Sequence, residues 1–271
     1  MSRRRMLLAN SDPNGEPKIL DTYPSTLAVS LMYLSSSYSG AVVRVVERGT
    51  DTEQDFTPTE LLDGTLAAFI GANDAQITKW YDQSGANNDL SQTSSTQQPY
   101  IAISGVINVD GSGQVFLNQS GSQNDSLKKS FTFNGDGSIF CVYNSNDSGN
   151  GMLCNNDSSS NYLGAMQSGS NFNPTGGSSG TPTYRANGSN IASSRGALHA
   201  SYVVNSDVLI SVIDANFNSW SSMMVFTYTS TSFTAAAKYK EFIMFSDSNN
   251  ATAVTDKAII ESNINSRYTI Y

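Results

Sequence analysis

The chain has 271 residues, enough to bury a full core, and a β-sandwich of this size often forms a single domain. Only 14% of residues are charged, against roughly 25% in a typical soluble protein, while 38% are apolar, with thirteen Tyr and twelve Phe. That composition argues against disorder, and a net charge of −8 argues against general nucleic-acid binding, which needs a basic surface to release counterions.

Residues 1–22 are predicted to form an extended arm, polar and broken by Pro13, Gly15 and Pro17. Arg3, Arg4 and Arg5 adjoin Met6, Leu7 and Leu8 there, a basic and apolar patch suited to docking on a partner surface. The apolar run stops at Asn10, too short for a signal peptide, and no stretch is long enough to span a bilayer. The expectation is synthesis in a cytoplasm with the arm retained and no membrane insertion.

The arm leads into one domain over 23–271. Leu27, Leu31 and Leu34 stand at helical spacing within 25–36. A strand is predicted over 41–46. A helix follows, opened by the Thr57–Glu60 capping box with Pro58 in its first turn, and carrying Leu61, Leu62, Leu66 and Phe69. Short strands are then predicted over 77–81, 100–103, 114–117, 131–133 and 138–143, separated by Gly, Asn and Ser. A polar region over 144–197 reads as long rim loops holding two short strands, near Tyr162–Met166 and Thr183–Arg185. Further strands are predicted over 198–204, which would hold the single histidine, His199, and over 208–214, 223–228 and 239–245. A final helix over 253–266 pairs Ile260 with Ile264 and sets Lys257 near Glu261. Many short strands with turn residues between them indicate an all-β sandwich or barrel with a few short helices.

Chemistry-bearing residues are sparse. One histidine removes most histidine-based catalysis and most transition-metal sites. Cys141 and Cys154 are expected as free thiols, their linkage left open. Asn144, Asn146, Ser148 and Gly149 imitate the start of a calcium loop, but position twelve is Asn155 rather than a bidentate Glu. No metal site or cofactor is therefore assigned, with weak Ca²⁺ binding left open. Trp220 and Asp214 are the candidate ligand contacts, Trp220 as a stacking surface for a sugar or as packing.

Three blocks carry a resemblance. The first is Tyr38-Ser39-Gly40, Val43-Arg44-Val45, Arg48-Gly49-Thr50-Asp51 and Gln54-Asp55. The second is Trp80-Tyr81-Asp82-Gln83-Ser84-Gly85, running into Asn88-Asp89-Leu90. The third joins Lys240-Glu241-Phe242 to Glu261, Asn263, Asn265 and Tyr268. Together they resemble the catalytic domain of fungal-type α-L-arabinofuranosidase B, and more closely the shorter copies of it in bacteriophage tail and fibre proteins. The resemblance implies a concanavalin A-like antiparallel β-sandwich, or jelly roll, over about residues 25–271. Read from the residues alone, the second block is architectural: Asp82 accepts from backbone N–H groups two residues on, and Gly85 takes positive φ.

Fold does not carry function, so the site is argued separately. A retaining glycosidase needs two carboxyl groups about 5 Å apart. The resemblance implies a Glu nucleophile in mid-domain, yet no Glu lies between Glu60 and Glu241. It implies an Asp acid/base eleven residues before Glu241, where Ser230 stands in a run of Ser and Thr. Its adjacent Cys pair is absent too. Asp207 and Asp214 are the carboxylates left to recruit. The expectation is a non-enzymatic phage virion protein, of a tail, baseplate or head fibre or a decoration. It would be anchored by its arm to other virion proteins, assembled as a homo-oligomer such as a trimer, and able to bind host-surface glycans. The alternative is a glycoside hydrolase acting on host polysaccharide.

Overall fold

The computed structural model describes residues 17–119, 125–130, 133, 135–145, 150–157, 160–201, 206–226 and 237–271. Two antiparallel sheets face each other across one apolar core. The first runs in the order Leu27–Ser30, Ala237–Ser246, Asp136–Ser145, Val208–Asn216, Thr183–Ala186, Ser189–Asn190. The second runs Thr52–Phe56, Val43–Glu47, Ala75–Trp80, Leu90–Ser91, Leu127–Ser130, Ser222–Val225, Cys154–Asn155, Tyr162–Leu163. Tyr100–Ile103, Val106–Ile107 and Leu117–Asn118 bridge the two by pairing with Ala75–Trp80 on one side and Ala237–Ser246 on the other.

The central strands of the first sheet are buried on both faces, which is why they read as unbroken apolar runs. Ile139, Cys141 and Tyr143 point into the inter-sheet core with Trp80, Phe226 and Tyr239. Phe140 and Val142 point the other way, to an outer layer with Ile243 and Phe245. The helices Asn250–Thr255 and Lys257–Tyr268 cover that layer, burying Ala253, Ile260, Ile264 and Tyr268. Among the described residues no helix is long and apolar enough to cross a membrane.

Several expectations change. Leu27–Ser30 is a strand, not a helix, because Leu27 and Val29 face one layer and Ala28 the other. The capping box forms, with Thr57 N–H donating to Glu60 Oε2 at 2.8 Å, yet it closes a turn, and the helix waits until Thr65–Ile70. His199 lies not in a strand but in the helix Arg195–Ala200, whose N-cap Ser194 accepts from Ala197 N–H. Residues 202–204 of that predicted strand lie outside the described residues. Of the strand expected at 131–133, residues 131 and 132 lie outside the described residues; Leu127–Ser130 is a strand that was not expected. Lys257 does not pair with Glu261; it donates to the Val254 carbonyl, while Glu261 turns inward.

The arm ends sooner than expected. Ile19–Thr22 is a one-turn helix whose Ile19 is buried in the outer layer. Asp21 accepts from Ser35 Oγ and Ser36 N–H, and Asn263 on the C-terminal helix donates to the Pro17 carbonyl. Residues 17–22 therefore belong to the sandwich. Arg3, Arg4, Arg5, Met6, Leu7 and Leu8 lie outside the described residues.

Candidate functional site

The most specific sequence block, Trp80 to Asn88, closes a sheet edge. Trp80 is wholly buried, while Tyr81 turns outward and donates to Asp55 at 2.7 Å, beside the bidentate Arg44–Asp55 pair. Asp82 accepts from the N–H groups of Ala28, Ser84 and Asn88 at 2.9–3.0 Å. Gln83 takes the Leu34 N–H on its oxygen and donates to the Met32 carbonyl, and Asn88 donates to the Thr26 carbonyl. Gly85 has φ +85°, as the turn requires. The block supplies side-chain partners to backbone groups that a neighbouring strand would otherwise satisfy, so the free edge of Leu27–Ser30 is sealed. The polar side chains of Asp82, Gln83, Ser84 and Asn88 are engaged in holding the fold.

The third block behaves the same way. Glu241 is fully buried and accepts from Arg267 at 2.6 Å, Tyr268 at 3.1 Å and Ser30 at 3.2 Å. Glu261 accepts two hydrogen bonds from Arg185, both at 2.8 Å, and a third from Ser211. These two glutamates tie the C-terminal helix to the sheet beneath it. Neither is free to act on a substrate.

The two predicted ligand contacts fall at one end of the first sheet. Trp220 is 2% exposed, packs against Phe217 and Phe133, and donates its indole N–H to Ser179 at 3.0 Å. It has no face to offer a sugar, because the hairpin folds it into the core. Asp214 sits at a sheet irregularity with φ +65° and accepts from Asn250, which accepts from Ser138 in turn. Asp207 precedes the strand Val208–Asn216 and Asp214 stands near its far end, with six strand residues between them, so the two carboxylates are not brought together.

A different cluster forms around Asp207, and a β-bulge creates it. In the pairing of Asp136–Ser145 with Ala237–Ser246, Val142 faces Glu241 while Tyr143 faces Tyr239, leaving Lys240 as the extra residue. A bulge re-aims the side chain it carries. Tyr239 keeps its place in the core, and Lys240, 3% exposed, enters the outer layer beneath Asp110 and Asp207. Its ammonium contacts both carboxylates, Asp207 at 2.5 Å, donates to Gln114 Oε1 at 3.0 Å, and lies 5.6 Å from the centre of the Tyr268 ring.

Asp110 is fixed by its own turn: Oδ1 accepts from the N–H groups of Ser112 and Gln114, and Gly113 supplies φ +80°. Burial alone would raise its carboxyl, but the Lys240 bond and these N–H groups outweigh that and hold it below the usual carboxylate range. Asn144 donates to Asp207 at 3.0 Å. Beside the cluster is a cavity of about 230 Å³, lined by the polar Asp110, Asn144, Asp207 and Lys238 and by the apolar Val109 and Phe116. Lys238 stands over the Phe116 ring at 4.8 Å. Partial burial pulls its ammonium below the ordinary lysine range against the opposing pull of Asp207.

The sequence reading named Asp207 but missed Asp110, Asn144 as a lining residue, and Lys240. Two signals were present: a charged Lys-Glu pair inside an apolar run, and an Asp-Gly-Ser-Gly turn. Of the calcium-loop imitation, Asn144 and Asn155 lie in strands of different sheets, and Asn146, Ser148 and Gly149 fall outside the described residues. Among the described residues no group of three His, Cys, Asp or Glu side chains converges on a metal position. Cys141 and Cys154 are free and buried, and burial pushes both thiols up, away from reactivity.

No protein-family model matches the sequence, and no curated protein matches it. Solved structures do. A GH54 α-L-arabinofuranosidase soaked with a cyclic sulfate inhibitor superposes with a TM-score of 0.52 at 14% identity, covering 91% of this chain and 63% of that one. A Glu-to-Gln mutant of a GH54 α-L-arabinofuranosidase, soaked with 4-nitrophenyl α-L-arabinofuranoside, gives 0.52 at 14% identity, covering 92% and 64%. The chain thus spans less than two thirds of the length of either enzyme. What it shares with them is the fold: a concanavalin A-like antiparallel β-sandwich with a few short helices.

Proposed function

We propose that this chain is a non-hydrolytic module on the arabinofuranosidase sandwich, one that binds carbohydrate and serves as a structural or adhesion component of a virion. The observation that carries the non-hydrolytic part is the state of its carboxylates. Glu241 and Glu261 are locked to Arg267 and Arg185, and Asp110 and Asp207 share the Lys240 ammonium. A nucleophile and an acid/base must change charge in turn, and carboxylates committed to ion pairs with buried cations are not arranged to do so. The virion part rests on the sequence resemblance to phage-borne copies of the domain. It carries with it the proposed partners, namely other virion proteins and sister subunits, and the docking role of residues 3–8.

The test is hydrolysis of 4-nitrophenyl α-L-arabinofuranoside by pure protein, alongside binding to an array of bacterial surface glycans. Binding without turnover is the expected result. Turnover abolished by Asp207→Asn would favour the second reading, a glycoside hydrolase using Asp110 and Asp207. Two observations speak for that reading: the fold likeness, and two carboxylates meeting beside one cavity.

A further inference from the structure

We infer that the cavity beside Lys240 is a binding site for one neutral, hydroxyl-bearing ring, a single unlinked or terminal sugar unit of a glycan. The inference rests on the proposed carbohydrate reading and adds where the sugar sits and what it must look like. Asn144 lines the cavity and is 5% exposed, and its amide donates to Asp207, yet its Oδ1 has no hydrogen-bond partner among the described residues. A buried acceptor left unmade is costly, so the site is short of one donor, which a hydroxyl entering the cavity supplies as Asn144 shifts to meet it.

Charge sets the second requirement. Asp110 and Asp207 are balanced by Lys238 on the lining and by Lys240 buried behind it, so the cluster as a whole is formally neutral and a charged ligand would add an uncompensated charge. Shape sets the third. A volume of about 230 Å³ lies below the roughly 300 Å³ at which drug-sized sites begin, so it suits one ring rather than a chain. The lining mixes apolar groups, Val109 and Phe116, with the polar groups of Asp110, Asn144, Asp207 and Lys238. A sugar ring offers both kinds of surface, C–H groups and hydroxyls. The site lies on the outer face of the first sheet, beside the C-terminal helix, where Gln114 joins Lys240 to the Arg267 carbonyl.

The experiment uses the full chain with methyl glycosides of neutral pentoses and hexoses, measured by titration calorimetry, beside an array of neutral, uronate and sialylated glycans. Asn144→Leu keeps the size of the side chain and removes the acceptor; binding should weaken about tenfold or more. Gly111→Phe is the second variant. A Cβ at Gly111 meets nothing within 4 Å, so the fold tolerates it while the ring closes the cavity mouth. Loss of neutral-sugar binding in both variants, with unchanged thermal melting, supports the site. Should Asn144→Leu fail to fold, Gly111→Phe alone decides. Neutral-sugar binding that survives both variants overturns the site while leaving carbohydrate binding elsewhere intact. Binding of charged glycans only overturns the ligand class. No glycan binding at all sinks both the site and the reading beneath it.

Discussion

Two carboxylate–cation clusters lie on the same face of the same sheet, and they are built to opposite specifications. Under the C-terminal helix, Glu241 is fully buried and every oxygen is taken, by Arg267, Tyr268 and Ser30. One residue away in sequence, Lys240 is just as buried, but its acids Asp110 and Asp207 keep 20% and 13% of their side chains open beside a cavity. The bulge makes this difference, because it turns two consecutive residues to one face and sends them to different partners. The first cluster can only hold the helix down. The second has groups left over, and leftover polar groups at a cavity are where ligands bind.

The largest effect should come from breaking the sealed cluster. Glu241→Ala leaves the Arg267 guanidinium buried without its anion, which typically costs about 3–5 kcal/mol. Glu241→Leu with Arg267→Met should cost much less, because both charges go together. Chemical denaturation of the three proteins measures this, and equal losses in single and double variants would show that packing, not charge, fastens the helix.

A carboxylate can also be sealed without a cation. Asp82→Ala strips partners from the N–H groups of Ala28, Ser84 and Asn88, with about 1–3 kcal/mol expected for each one left truly buried. Asp82→Asn retains one acceptor oxygen and should recover part of the loss. If Asp82→Ala melts like the parent, water replaces the carboxylate and the edge is not sealed as described.

How much of this was legible follows from what kind of signal each residue leaves. Strands buried on two faces announce themselves as runs, and Tyr100–Ile103 was placed to the residue. Thr52–Phe56 was missed because four of its five side chains face solvent, and a polar edge strand has no apolar alternation to detect. Leu27, Leu31 and Leu34 imitated a helix because two layers on opposite faces both demanded apolar residues. The Tyr-Asp-Gln-Ser-Gly block was legible as a turn, but not as an edge closure, since its partners at 26–34 lie some fifty residues away. The Lys240 cluster draws on residues 110, 114, 144, 207 and 240. Only the folded sheet and its bulge bring them together.

The mildest test separates the open cluster from the sealed one by pH. Asp110 is held below the usual carboxylate range although burial pushes the other way, because Lys240 and the N–H groups of Gln114 and Ser112 favour its ionised form. A carboxyl depressed in the folded state binds fewer protons there than in the unfolded chain. Its contribution is present above the unfolded value of about 3.9 and is lost as pH falls through the folded value. Lys240→Met reverses the sign. Without the ammonium, Asp110 loses the bond that outweighs its burial, so its carboxyl is pushed up in the folded protein. That variant should be destabilised by about 1–3 kcal/mol near pH 7, as buried groups lose their partner. The deficit should shrink as pH drops and the Asp110 carboxyl takes up a proton that the unfolded chain does not yet bind. Melting temperatures of parent and Lys240→Met between pH 7 and pH 4 should therefore converge. Parallel curves over that range would mean the carboxylates are hydrated enough through the cavity to ignore the lost cation. The cluster would then be a solvated surface feature rather than a site.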